Sequence, residues 1–161
     1  MLLTNYNDFI DQIYDHVNNL GIDTSSLKID HLGYQADSAE DYDNLVKDPA
    51  VNKVSEKIVG DRRVGIFKLN KPITYKDQNI GVIEIFEPRA GQTVKSTWEH
   101  VEFLTNTSPE NLISTYPTID WDKSALNREE FPMLILQLGE GLRAKFPRIG
   151  VLEELKRQES K

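Results

Sequence analysis

His31 and His100, two of the chain's three histidines, stand in matching hexapeptides. Ile29-Asp30-His31-Leu32-Gly33-Tyr34 and Trp98-Glu99-His100-Val101-Glu102-Phe103 both read apolar, acid, histidine, aliphatic, variable, aromatic. Both runs have strand character, and side chains on a strand alternate between faces. His31 therefore shares a face with Ile29 and Gly33, while Leu32 and Tyr34 point the other way. Trp98, His100 and Glu102 share a face, with Val101 and Phe103 opposite. The purely apolar faces must meet helices, so the histidine faces are left to line a concave side. A further strand, Gly81 to Phe86, places Glu84 on that side with Val82 and Phe86. Two imidazoles and a carboxylate converging on one cleft form a ligand set for divalent iron that also suits zinc, nickel or manganese. Glu102, Arg62 or Arg63 could orient such ligands. Arg62 and Arg63 straddle a turn, so one points into the cleft, where it could hold a substrate carboxylate, and the other is surface charge. Two readings without a metal stay open: histidines satisfied in a polar cleft, and Glu84 paired with an arginine across strands. His16, near Asp11 and Asp15, reads as solvated.

The rest of the composition narrows the chemistry. The chain has 161 residues, enough for one buried core or for two small modules sharing one. A net charge of −7 and scattered basic residues argue against nucleic acid, whose phosphates call for clustered Lys and Arg. Without cysteine there is no disulfide, thiolate ligand or cysteine nucleophile. No apolar run approaches the roughly 20 residues needed to span a bilayer, and the first residues lack the form of a signal peptide. The expectation is a cytoplasmic globular protein. Phosphate loops, nucleophile elbows and zincin motifs are missing from the sequence, and the acidic set Asp37, Glu40, Asp41 and Asp43 reads as a solvated helix start and not a calcium loop.

The elements that must position these residues follow from periodicity. Residues 5–20 read as a helix with Phe9, Ile10, Ile13, Val17 and Leu20 as its apolar stripe, Asn5 or Asn7 as its cap and Gly21 as its end. Residues 27–35 read as a strand. Ser38-Ala39-Glu40-Asp41 opens a helix as a capping box, with Tyr42, Leu45 and Val46 on its apolar side. Strands follow at 51–59, 64–69 and 81–86, with turns at Gly60-Asp61-Arg62 and Lys76 to Asn79. The order then restarts about 70 residues on: a strand at 97–104 and a helix opened by Ser108 and Pro109. Ile119 to Trp121, Met133 to Leu138 and Leu142 to Phe146 supply three more strands, and 151–161 is a charged terminal helix. The predicted organisation is an N-terminal helix (1–26) packed on two strand-helix-strand-strand-strand modules (27–92 and 93–161).

These residues resemble the YecM family, a branch of the vicinal oxygen chelate superfamily that includes glyoxalase I, extradiol dioxygenases and bleomycin-resistance proteins. The resemblance rests on Ile29-Asp30-His31-Leu32-Gly33, Gly60-Asp61-Arg62, Ile83-Glu84 ahead of Pro88, and above all Trp98-Glu99-His100-Val101-Glu102-Phe103. Lys145-Phe146 followed by Glu153-Glu154 adds to it. It implies an α+β fold of paired βαβββ modules forming an open, barrel-like cleft around a divalent metal (Zn, Ni, Mn or Fe). By analogy the ligands are His31, Glu84 and His100, with a fourth near the end of the last strand, where this chain has Pro147. Glu102, Arg62, Arg63, Trp98 and Lys145 are the expected substrate contacts or partners of the ligands. Three functions are carried forward. The first is a glyoxalase-like lyase, isomerase or dioxygenase that uses the metal on a small oxygen-rich molecule. The second is a metal-free protein that sequesters such a molecule in the same cleft. The third is an interaction module docking a partner on the N-terminal helix. Whether the chain is a homodimer, as many members of that superfamily are, stays open.

Overall fold

A computed structural model describes residues 3–161. The fold is α+β, with eleven elements among the described residues. They are α1 (Tyr6–Asn19), β1 (Lys28–Gln35), α2 (Ala39–Leu45), β2 (Val51–Val59), β3 (Arg62–Tyr75), β4 (Gln78–Phe86), β5 (Thr97–Leu104), α3 (Pro109–Thr115), β6 (Met133–Gly139), β7 (Leu142–Pro147) and α4 (Val151–Glu159). The strands form an open sheet in the order β2-β3-β4-β1-β5-β7-β6. The chain groups into two compact units, and the boundary runs through β1 and β5 immediately before His31 and His100: one unit holds the N-terminal segment up to Phe9 with His31–Glu99, the other Ile10–Asp30 with His100–Lys161. No helix among the described residues is long and apolar enough to cross a membrane.

In the first unit β2, β3 and β4 form an antiparallel meander, and β1 adds parallel to β4. Two-residue turns join the strands, each starting with a residue in the left-handed region, Gly60 (φ 68) and Lys76 (φ 51). β3 runs well past the expected Leu69. Its pairing with β4 breaks between Lys68 and Ile73 and then resumes, because Pro72 in that gap has no N–H to give the ladder. α2 starts as expected at Ser38, whose hydroxyl accepts the Asp41 N–H at 3.0 Å. The capping box is shifted, however: the Asp41 carboxylate accepts from the Asp37 N–H and not from Ser38. Tyr42 carries α2 onto the sheet, fully buried. Gly65 on β3 is needed beneath it, since a Cβ there would lie 2.7 Å from the Tyr42 hydroxyl and 2.5 Å from the Phe67 ring.

In the second unit β5 pairs parallel with β7, and β7 pairs antiparallel with β6. The expected strand at Ile119 to Trp121 does not form. There the chain turns, with the Trp121 N–H on the Ile119 carbonyl and the indole N–H on the Tyr116 carbonyl, and only Asp122 bridges to β6 through Ile135. Trp121 packs edge-on to Phe146, which stacks on Phe103 at 5.8 Å. Tyr14 of α1 meets Phe103 edge-on at 5.2 Å, as the apolar face of β5 requires. Ile10, Ile13 and Val17 of α1 are fully buried, but Leu20 is 47% exposed, because the helix ends at Asn19 and Gly21 (φ 85) turns the chain away. α4 is more than a charged tail. The Asp30 carboxylate accepts its first N–H, from Val151, at 3.0 Å, and Gly150 is required because a Cβ there would sit 2.6 Å from Asp30. Glu154 is buried and accepts from the Phe131 N–H, Arg157 and Gln158.

Candidate metal centre

Register decides which side chains meet. In the first unit Gly33 of β1 lies beside Glu84 of β4. Glu84 therefore shares the face of Gly33 and, two residues earlier, of His31. The His31 Nε2 lies 3.9 Å from the Glu84 Oε2, with the imidazole fully buried and the carboxylate 16% exposed. In the second unit His100 and Glu102 are two apart on β5, and the His100 Nε2 lies 4.0 Å from the Glu102 Oε2. Both of these side chains are buried. One donor atom from each of His31, Glu84, His100 and Glu102 falls within 4.8 Å of the others. Glu102, expected as a substrate contact or partner of the ligands, thus stands among the donors. Its signal in the sequence was its parity with His100.

The donor set fits a divalent cation. Bonds of about 2.0–2.2 Å put any two ligands of one ion no more than about 4.4 Å apart, so the observed spacing closes with small side-chain rotations. Two imidazoles and two carboxylates suit zinc, manganese, iron or nickel. The two carboxylates also carry two negative charges into a buried place, and a dication cancels them.

The other expected site residues divide. Arg62 is on the face of Glu84: β3 pairs Val64 with Phe86 and Ile66 with Glu84, and Arg62 follows the same alternation. Its guanidinium lies 4.8 Å from the centre of the Phe86 ring and donates to the Glu87 carbonyl. Arg63 is on the opposite face and is not brought to the donors. Neither is it idle surface charge, since it lies over the Tyr42 ring at 4.4 Å and donates to Glu87 and to Asp43 at 2.8 Å. Its guanidinium holds the Glu87 carboxyl below the usual range, while burial and then the Glu56 carboxylate push the Tyr42 phenol up. Trp98 is committed to packing: its indole N–H donates to the Thr4 carbonyl at 2.8 Å, and its ring meets Phe9 and Tyr34. Lys145, half-buried on β7, is the register neighbour of Glu102. Pro147, where a fourth ligand was expected, lines a small cavity with Glu102, Phe131, Arg148, Val151 and Glu154.

The mixed sheet with its flanking helices is also the fold of solved structures that match the chain. A methylmalonyl-CoA epimerase from Streptomyces coelicolor, in complex with 2-nitronate-propionyl-CoA, superposes with a TM-score of 0.53 at 13% identity, over 76% of this chain and 97% of that one. A putative dioxygenase from Bacillus subtilis gives 0.51 at 8% identity, over 77% and 41%. Within this architecture the chain belongs to the YecM family, whose model, described as YecM protein, matches residues 1–147. A structural-genomics structure, protein EC4020, superposes with a TM-score of 0.79 at 19% identity, over 98% of this chain and 91% of that one. An uncharacterized protein of Haemophilus influenzae is 28% identical over 99 residues, 59% of this chain and 51% of that protein, so the match spans about half of that relative's length.

Proposed function

We propose that the protein binds one divalent metal ion through His31, Glu84, His100 and Glu102, and with it a small oxygen-rich molecule. The observation that carries this reading is the convergence of the four donor atoms within 4.8 Å, three of the residues buried and Glu84 partly so. Bound there, the ion supplies Lewis acidity toward two neighbouring oxygens of a substrate, the chemistry a lyase, isomerase or dioxygenase of this kind needs. The chain's own part is to hold the donors. Gly33 adds no side chain beside Glu84, β5 fixes His100 and Glu102 on one face, and burial of both imidazoles keeps water from competing for them. Arg62, on the face of Glu84, adds positive charge beside Phe86.

The test is thermal unfolding of metal-stripped chain with Zn, Ni, Mn and Fe(II). At a concentration about 100 times its Kd an ion adds about 2.7 kcal/mol. For a chain of this size that raises Tm by about 5–10 °C, and His31→Ala removes the rise. No shift with any of the four ions ends the reading. Uptake of the small molecule by stripped chain would favour metal-free sequestration instead.

A further inference from the structure

The two units repeat a four-position pattern with one exchange. In the first, histidine (His31) is followed two residues on by glycine (Gly33), beside which the neighbouring parallel strand sets an acid (Glu84). In the second, histidine (His100) is followed two residues on by an acid (Glu102), beside which the neighbouring parallel strand sets Lys145. Lys145 thus occupies the place relative to His100 that Glu84 occupies relative to His31, and Glu84 is one of the four donors. Parallel register puts its stem on the face of Glu102. The residue as a whole is half-buried, and no hydrogen bond or ion pair to its ammonium is found among the described residues. An ammonium is not a ligand of a metal ion, so Lys145 stands beside the donors as a positive charge open to an anion.

We infer that Lys145 is a substrate-binding residue that selects a small carboxylate carrying an oxygen on the neighbouring carbon, a 2-hydroxy or 2-oxo acid. The inference rests on the metal reading above and on its charge count. Glu84 and Glu102 contribute two negative charges and a divalent ion two positive ones, so with Lys145, and Arg62 further out over Phe86, the site is left positive, complementary to an anion. The C2 oxygen and one carboxylate oxygen face the donor group as a neighbouring pair, and the second carboxylate oxygen accepts from the Lys145 Nζ. Arg62 is less suited to this part, because it already lies over Phe86 and donates to the Glu87 carbonyl.

The experiment is isothermal titration of zinc-loaded chain with lactate and pyruvate, and with lactamide, which keeps lactate's chelating oxygens but lacks its charge. Wild type should bind the two acids at least about tenfold more tightly than lactamide. Lys145→Met should weaken the acids by about 10- to 100-fold, the loss expected for a charge-assisted hydrogen bond, and leave lactamide unchanged. Lys145→Arg should keep most of the preference. Zinc affinity should be equal or higher in Lys145→Met, because a positive charge beside the ion has gone, whereas a merely structural role would lower it. Equal affinity of the acids for wild type and Lys145→Met overturns the inference, as does zinc-loaded wild type that binds neither acid. If zinc is not taken up at all, the metal reading fails first. The same acids titrated into zinc-free chain then decide Lys145 separately: binding lost in Lys145→Met supports an anion site, and no binding removes it.

Discussion

The strands that carry His31 and His100 are alike in sequence and differ in how each obtains its acid. β1 borrows Glu84 from the neighbouring strand and keeps Gly33 bare beside it, whereas β5 carries its own acid at Glu102 and faces Lys145. The two arrangements deliver the same donor pair, with imidazole-to-carboxylate spacings of 3.9 and 4.0 Å. A donor set therefore depends on face and register and not on which strand supplies a residue. The second arrangement also leaves the position on the neighbouring strand to a cation, Lys145.

The largest effect should come from the histidines, which the two strands share. His31→Gln and His100→Gln should each lower zinc affinity by more than the about 10- to 100-fold typical of losing an outer partner of a ligand, measured by competition with a chelating dye. Equal losses would make the two strands equivalent; a loss confined to one would break the comparison. A sharper test moves the acid. Glu84→Gln should weaken zinc about tenfold or more, and Gly33→Glu with Glu84→Gln should recover part of it, since β1 then carries its own acid as β5 does. No recovery in a double variant with wild-type Tm would show that the two positions are not interchangeable.

This much was legible because period-two alternation reads faces directly, and both hexapeptides expose their parity without any tertiary information. β2 and β5 were bounded correctly for the same reason. What failed needed partners distant in sequence. The strand read at 64–69 stops short, because β3 passes Pro72 at a break in pairing and then resumes. Ile119 to Trp121 has an apolar alternation, but its backbone and indole bond locally. Of Arg62 and Arg63 the sequence cannot say which is surface charge, and Arg63 is neither that nor a cleft residue once Glu87, 24 residues on, and Asp43 are placed beside it. Glu154 belongs to a run that reads as solvated helix, and nothing local shows that the Phe131 N–H and Arg157 meet its carboxylate. Burial of a charge is decided by who satisfies it, and that information is nonlocal.

Glu154 also makes the second unit sensitive to acid. Arg157, with the Phe131 N–H and Gln158, holds its carboxyl down to about 2 from an ordinary 4.5. A folded-state pKa below the unfolded one adds stability that is fully present above about 4.5 and is lost as pH falls toward 2. Denaturant unfolding at pH 7, 4 and 3 should show this decline in wild type and a shallower one in Glu154→Gln. An unchanged slope would mean that Phe131 and α4 are held by apolar packing alone.

The smallest effects should come from the helices that follow the two histidine strands, where the comparison is one of exposure. α2 is held by Arg63, whose side chain is 28% exposed, against Glu87 at 12% and the Tyr42 ring. α3 is held by Arg148 on Glu110, at 37% and 56%. Both arginines hold their acids below the ordinary range, and the Glu110 carboxyl is drawn down to about 2. A lowered pKa at an exposed carboxylate reports proximity more than stability, because water replaces the partner almost as well. Arg63→Met strands Glu87 next to Asp43 with little solvent and should cost about 2 kcal/mol, seen as a Tm lower by about 4–8 °C. Arg148→Met should stay within about 2 °C of wild type. Neither should alter zinc affinity, because Arg63 lies on the sheet face away from the donors and Arg148 bonds to the surface of α3. If Arg148→Met proved the more damaging of the two, exposure would not be what separates the helices, and the cavity that Arg148 shares with Glu102 would be the place to look.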